Sequence, residues 1–254
     1  MQVFSNAGVE IAFIDLQPEA GAGEPILLIH GFASNHSVNW IGPLWTKTLL
    51  AAGRRVIALD NRGHGKSAKL YDPPDYATEK MAGDAAALLD HLGIERADVM
   101  GYSMGARITA FLSLLHPEKV RSATLGGLGV HLVEGVGLPP RIAEAMEADS
   151  LANLTDPMDR MFRAFAEQTK SDLRALAACI RGTRQTLTPE RVKTIEPPVL
   201  ICVGTKDAVA GDPHALAAMI PGAKAFDIPG RDHNLAVGDK AYKQAVLDFL
   251  AERA

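Results

Sequence analysis

The residues that could do chemistry fall in four short stretches. The first is Gly101-Tyr102-Ser103-Met104-Gly105, which ends a predicted strand starting near Ala97 and opens the helical pattern Met104 to Leu115. Glycines on either side of a serine give the backbone room for a sharp strand-to-helix turn that lifts the hydroxyl clear of a sheet. The following amide, that of Met104, then sits at a helix N-terminus and can donate to a developing oxyanion. A serine hydroxyl is a poor nucleophile at neutral pH, so it needs a base, and the base needs an orienting group. Asp207 closes Gly204-Thr205-Lys206-Asp207 after the run Val199 to Val203, and His233 lies in Pro229-Gly230-Arg231-Asp232-His233-Asn234 after the next predicted strand, near Ala225 to Ile228. Both are expected on loops at the same sheet edge as Ser103, His233 as base and Asp207 as its partner. Serine, base and acid together specify acyl transfer.

A fourth stretch completes the set. His30-Gly31-Phe32 ends the run Ile26 to Ile29. The glycine permits a tight turn there, and the amide of Phe32 falls where a second oxyanion donor is needed. His30 reads as structural, bonding loop backbone. Asp60-Asn61-Arg62-Gly63-His64-Gly65-Lys66-Ser67 invites a phosphate-loop reading through Gly65-Lys66-Ser67, but that motif needs glycine at position 60, where this chain has Asp. Asp212-Pro213 reads as a helix cap with proline at the first helical position, and Asp232 is too near His233 to orient it. His91 and His116 fall at helix ends, whereas His36, His131 and His214 carry no positional argument. The two cysteines, Cys179 and Cys202, lack the spacing of a disulfide framework or a zinc site and read as reduced core thiols.

The elements that must position these residues alternate. Val9, Ile11 and Phe13 recur at period two, a strand with one covered face. Ile26 to Ile29 and Val56 to Leu59 are unbroken apolar runs, as in strands buried on both faces of a parallel sheet. Met81, Ala85, Leu88, Leu89 and Leu92 follow helical steps, with Thr78 as N-cap and Gly93 as stop. The rhythm continues to the last helix, from about Asp239 to Ala251. It predicts an α/β protein with a doubly wound, mostly parallel sheet and helices on both faces.

Residues 127–196 interrupt this rhythm. They are rich in Ala, Leu, Met, Arg and Glu, and carry helix-start signals at Pro139-Pro140 and Thr188-Pro189-Glu190. The expected organisation is a core of residues 1–126 and 197–254 with a helical lid inserted at 127–196. Met158, Met161, Phe162 and Phe165 form one apolar helical stripe in it. The stripe packs the lid on the core, with Met158, Phe162 and Phe165 as the candidates to line substrate. Apolar surface without a charged clamp points to a small or medium, largely uncharged acyl substrate.

Composition narrows the partners. The 254 residues are 47% hydrophobic and 22% charged, ordinary for a globular chain, and 26 basic against 30 acidic residues leave a net charge of −4. That balance offers no electrostatic footprint for nucleic acid or an anionic membrane. No apolar run approaches the roughly 18 residues of a membrane span, and the N-terminus lacks the basic and apolar regions of a signal peptide. The expectation is a cytoplasmic enzyme acting on a small molecule without metal or cofactor, its oligomeric state unspecified.

In their order along the chain, His30-Gly31-Phe32, the Asp60 to Ser67 turn, Gly101-Tyr102-Ser103-Met104-Gly105, Asp207 and His233 resemble the α/β-hydrolase superfamily, in particular its compact serine esterases with a short helical cap. The resemblance covers nearly the whole chain. It implies Ser103 as nucleophile, His233 as base, Asp207 as its partner and the Phe32 and Met104 amides as oxyanion hole, with Asp60 and Arg62 tying loops together. It also implies cleavage of a carboxylic ester. Haloalkane dehalogenases and epoxide hydrolases of this superfamily carry aspartate where this chain has Ser103. Epoxide hydrolases add cap tyrosines, and none of Tyr71, Tyr76, Tyr102 and Tyr242 lies in 127–196. Carbon–carbon bond hydrolases keep the serine but commonly place tryptophan after the histidine, where this chain has Asn234. Lactonases, perhydrolases and slow-turnover ligand sensors share the same triad.

Overall fold

The computed structural model describes residues 1–19, 21, 23–135, 138–183 and 185–252. Eight strands among them form one sheet in the order β1-β2-β4-β3-β5-β6-β7-β8. β1 (Gln2–Asn6) and β2 (Val9–Leu16) make an antiparallel hairpin, and β2 is also antiparallel to β4 (Arg55–Leu59). β3 (Pro25–Ile29), β5 (Ala97–Tyr102), β6 (Val120–Gly126), β7 (Val199–Gly204) and β8 (Lys224–Ile228) continue the sheet in parallel from β4. This is the mostly parallel sheet that the alternating pattern predicts.

The unbroken apolar runs serve both faces because successive side chains of a strand point opposite ways. Leu27 and Ile29 of β3 and Ile57 and Leu59 of β4 join one core cluster, while Ile26, Leu28, Val56 and Ala58 join the other. The first cluster is covered by α2 (Thr78–His91) and α3 (Met104–Leu115) through residues such as Met81, Leu88 and Phe111. The second is covered by α1 (Trp45–Ala51) and, at the C-terminus, Lys240–Ala251, through Trp45, Leu49, Val246 and Phe249. Helices thus pack on both faces of the sheet.

Local stop and start signals behave as their chemistry requires, with one correction. Gly93 ends α2 at φ +65°, and the side chains of Thr188 and Asp212 accept hydrogen bonds from the first turns that follow them. Thr78, expected as the N-cap of α2, is its first helical residue instead. Ala77 occupies the cap, and both the amide and hydroxyl of Thr78 donate to Gln185 Oε1 at 2.8 Å. The threonine therefore ties a core helix to the far end of the insertion rather than capping its own helix.

Within 127–196 the main helices are α4 (Arg141–Glu147), α5 (Pro157–Gln168) and α6 (Leu173–Gly182). They form a third apolar cluster in which Ile142, Met146, Phe162 and Leu176 pack with Phe32 and Tyr76 of the core. Buried Arg163 donates through Nη1 to the carbonyls of Ala145 and Ala148, each at 2.8 Å, and so satisfies the C-terminal end of α4 that would otherwise be orphaned. The insertion lies over the sheet edge that carries Phe32. Cys179 and Cys202 are both free and buried, and burial pushes the Cys179 thiol up to about 12. No helix among the described residues is long and apolar enough to cross a membrane.

Candidate active site

The turn between β5 and α3 is built by what cannot fit there. A Cβ on Gly105 would lie 1.9 Å from the carbonyl oxygen of Ile29, and one on Gly101 would lie 2.1 Å from the carbonyl oxygen of Gly105. Only glycine lets α3 descend this close to β3 and β5. Between the two glycines Ser103 is forced to φ 55° and ψ −113°, a conformation that side-chain-bearing residues rarely adopt, while its amide donates to Gly126 O at 2.7 Å. The strain holds the hydroxyl at the tip of the turn.

His233 Nε2 lies 3.0 Å from Ser103 Oγ, and His233 Nδ1 lies 2.7 Å from Asp207 Oδ2. The other carboxylate oxygen, Oδ1, accepts from the amides of Val209 at 2.8 Å and Ala210 at 3.1 Å. The Asp207 side chain is wholly buried, and both of its oxygens are fixed by hydrogen bonds within the protein. An acceptor on Nδ1 places the imidazole proton there and leaves Nε2 as the acceptor facing the serine hydroxyl. The ends of β5, β7 and β8 thus bring together the three residues expected from the sequence. Asp212 caps the helix Pro213–Ala217, and Asp232 accepts from the amides of Asn234 and Leu235 in its own loop.

Tyr102 adds a support that its type and position alone do not reveal. Its hydroxyl donates to the carbonyl oxygen of His233 at 2.6 Å, and its ring lies 5.5 Å from the imidazole. Burial, reinforced by the carboxylates of Asp207 and Asp232, raises its pKa well above the phenol value, so it remains a donor. Removing this anchor by Tyr102→Phe is expected to lower kcat about tenfold with little change in KM, the equivalent of one hydrogen bond, about 1.4 kcal/mol. Steady-state kinetics on a single ester checks this, and an unchanged kcat defeats the positioning role. Tyr242→Phe is the matched control, because the buried Tyr242 hydroxyl has no hydrogen-bond partner among the described residues.

The loop after β3 passes directly over the serine. A Cβ on Gly31 would lie 3.2 Å from Tyr102 O and 3.5 Å from Ser103 Cβ, and the Gly31 amide is held by Asn39 Oδ1 at 3.1 Å. His30 bonds loop backbone: Nδ1 donates to Gly31 O at 2.7 Å, and Nε2 accepts from the Asn61 amide at 2.9 Å. The Phe32 amide has no hydrogen-bond partner among the described residues, and the Met104 amide lies in the first turn of α3, where no intrahelical acceptor exists. Asn39 is missed by the sequence reading, because its only signal is distance in space.

The Asp60 to Ser67 turn is a scaffold. Burial would push the Asp60 carboxyl up, but hydrogen bonds from His36 and Lys66 outweigh it and hold the group at about 2. A Cβ on Gly65, at φ +48°, would overlap this carboxylate at 2.0 Å. Arg62 makes a buried two-point ion pair with Asp84, at 2.7 and 2.8 Å. His64 is held neutral, its pKa lowered to about 3 by burial and by neighbouring His30.

Two cavities meet at Ser103. The wider, about 570 Å³, is bounded by Tyr102, His233, Asn234 and the α5 residues Met161, Phe162 and Phe165. The narrower, about 70 Å³, is bounded by Met104, Arg107, Leu138 and Ile180 among others, and Phe32 borders both. Phe162 and Phe165 therefore stand where the stripe placed them. Met158 does not: it packs against the lid cluster, and the next turn of α5 presents Met161 to the cavity instead. Arg107, on a core helix, is a charged wall residue that a reading of the insertion alone could not find. Among the described residues no cluster of three or more His, Cys, Asp or Glu could hold a metal ion.

The profile of the alpha/beta hydrolase fold matches residues 24–175. The chain belongs to the α/β-hydrolase family. It is 30% identical over 243 residues to the dihydrolipoyllysine-residue acetyltransferase component of the acetoin cleaving system of Pseudomonas putida, covering 90% of this chain and 64% of that protein. It is also 30% identical over 258 residues to a protein of Mycobacterium tuberculosis provisionally named non-heme bromoperoxidase BpoC, covering 91% and 95%. The crystal structure of the latter superposes with a TM-score of 0.72. A hydrolase from Pseudomonas aeruginosa has a TM-score of 0.78 over 98% of this chain and 97% of its own, at 24% identity. The chain spans between 38% and 64% of the length of several curated relatives.

Proposed function

We propose that the protein hydrolyses a carboxylic ester through an acyl-enzyme on Ser103. The observation that carries this reading is the unbroken relay from Ser103 Oγ to His233 Nε2 at 3.0 Å and from His233 Nδ1 to Asp207 at 2.7 Å. His233 takes the serine proton as Oγ attacks the ester carbonyl, and Asp207 stabilises the imidazolium that forms. The amides of Phe32 and Met104 receive the charge on the carbonyl oxygen. The imidazolium then protonates the departing alkoxide, and the same nitrogen activates the water that releases the acid.

The two cavities sort the halves of the ester. His233 must reach the leaving oxygen, and it lines only the wide cavity. The alcohol therefore enters between Phe162, Phe165 and His233, and the acyl chain enters the narrow pocket beside Met104. An apolar alcohol larger than its acyl partner fits this division. The test is a panel of esters, thioesters, lactones and vinylogous diketones presented to purified protein. Carboxylic esters with a short acyl chain and an aromatic alcohol are expected to give the highest kcat/KM. Turnover confined to lactones or diketones would replace ester cleavage with that reaction, and binding without turnover would make the chain a ligand sensor.

A further inference from the structure

We infer that the wide cavity holds the alcohol half by a neutral acceptor, a carbonyl oxygen close to the ester oxygen, which the side-chain amide of Asn39 receives. This rests on the ester reading and deepens it, because it puts one polar atom on an otherwise apolar alcohol. Asn39 lines the wide cavity together with Gly31, Ser103 and His233. It is only 6% exposed, and its Nδ2 has no hydrogen-bond partner among the described residues. A buried amide that keeps its donors unpaired carries a cost that an arriving acceptor removes.

The amide cannot turn over to trade its ends. Oδ1 accepts from the Gly31 amide at 3.1 Å, and only the oxygen end can accept there, so Nδ2 is fixed as the unpaired end. The other side-chain amides at this cavity, Gln168 and Asn234, are exposed and reach water, and Asn234 Nδ2 already meets Met161 Sδ at 3.5 Å. Ser34, on the same loop as Asn39, adds a hydroxyl: it lines the cavity, is 4% exposed, and that hydroxyl has no hydrogen-bond partner among the described residues. Among the described residues the cavity lining holds no Lys, Arg, Asp or Glu, and Phe162 and Phe165 give it apolar surface. A carboxylate would find no counter-charge there, so the acceptor is an uncharged oxygen.

Distance sets where that oxygen stands. Ser103 Cβ lies 3.5 Å, and Asn39 Oδ1 3.7 Å, from the point that a Cβ on Gly31 would occupy. The width of one glycine therefore separates the amide from the nucleophile. Once Oγ has attacked the ester carbon, the leaving oxygen occupies the same neighbourhood, within reach of His233. An acceptor far along the alcohol would overshoot Asn39. A carbonyl on the second carbon from the ester oxygen does not, so the matching substrates are esters of α-hydroxy ketones that carry an apolar ring.

Phenacyl acetate and 2-phenylallyl acetate share their acyl group and carbon skeleton and differ in one place, a carbonyl oxygen against a methylene carbon. Each kcat/KM is divided by that ester's rate of alkaline hydrolysis, which removes the effect of leaving-group acidity. The wild-type protein is then expected to prefer the phenacyl ester by about tenfold, the equivalent of one hydrogen bond. Asn39→Leu has a similar shape and no polar atom, and Asn39→Asp, assayed at about pH 8 as the carboxylate, keeps an acceptor for the Gly31 amide but loses the donor. In both variants the preference should vanish, whatever happens to the rate common to the two esters. An Asn39 that merely tied Gly31 would depress both esters alike and leave the preference unmoved. A preference that survives in either variant overturns the subsite, as does its absence from the wild-type protein. Should neither variant fold, Ser34→Ala carries the test, with the preference expected to fall about threefold and an unmoved preference counting against the subsite. Should no ester be turned over, the ester reading fails and the subsite is decided by binding: in ligand-observed NMR, 2-hydroxyacetophenone binds more tightly than 2-phenylprop-2-en-1-ol if it exists, and equal binding or none refutes it.

Discussion

Ser103→Ala is expected to lower kcat on a simple ester by a factor on the order of 10⁶ while the protein stays folded. The size follows from the relay. With Oγ gone, neither the 3.0 Å contact to His233 nor the covalent intermediate can form, and what remains is catalysis by the oxyanion donors and by binding. His233→Ala should fall nearly as far, and the double variant barely further, since each residue acts only through the other. A Ser103→Ala enzyme within tenfold of wild type would eliminate Ser103 as nucleophile. Stability adds a second readout. Alanine keeps the Cβ that is strained at φ 55°, whereas Ser103→Gly removes it, so the glycine variant should be inactive yet more stable by about 1 kcal/mol.

The order Ser103, Asp207, His233 is legible because each residue follows a strand in the alternating pattern, β7 as an unbroken buried apolar run and β8 as an edge strand with only Ile228 buried, and the ends of parallel strands share one edge of the sheet. The period-two split of Ile26 to Ile29 between two core clusters was equally written in residue type. Other features were not. β1 has only Phe4 buried, so it lacks the apolar alternation that marks a strand, and it exists because β2 offers it an edge. Tyr102 looks like the variable position of a turn motif, and its role depends on a carbonyl 131 residues away. Met158 and Met161 lie on the same stripe, and which of them faces the cavity depends on how α5 is rolled over Phe32. Local pattern fixes an element and its apolar face. Roll, reach and long-range hydrogen bonds depend on the assembled whole.

Asn39 and Arg107 show the same limit at the site itself. Asn39 holds the Gly31 amide from eight residues away, and Arg107 fastens the two ends of the insertion, at 131–132 and 185, to the helix that carries the nucleophile. Thr78 makes the same connection from α2 through Gln185. The insertion is thus anchored to the elbow itself, so its geometry and that of the acyl pocket are set together.

Gly105→Ala is expected to destabilise the protein by about 4 kcal/mol or more, enough to lower Tm by about 10 °C or to prevent recovery of soluble protein. The added methyl would sit 1.9 Å from Ile29 O and 2.8 Å from His30 O, both backbone atoms of the strand and loop that carry Gly31 and Phe32. No side-chain rotation relieves such a contact. Either α3 rises from the sheet or β3 shifts within it, and β3 is paired on both sides, with β4 and β5. Any molecules that do fold should be catalytically poor, because lifting α3 moves Ser103 and the Met104 amide away from His233. Gly83→Ala provides the contrast. Gly83 lies inside α2, where an added methyl would meet nothing within 4 Å and φ is not positive, so alanine there should raise stability by roughly 0.5–1 kcal/mol. Thermal unfolding of the two variants side by side separates a glycine required by close backbone approach from one that is merely present, and equal effects at both positions would refute the account of the elbow.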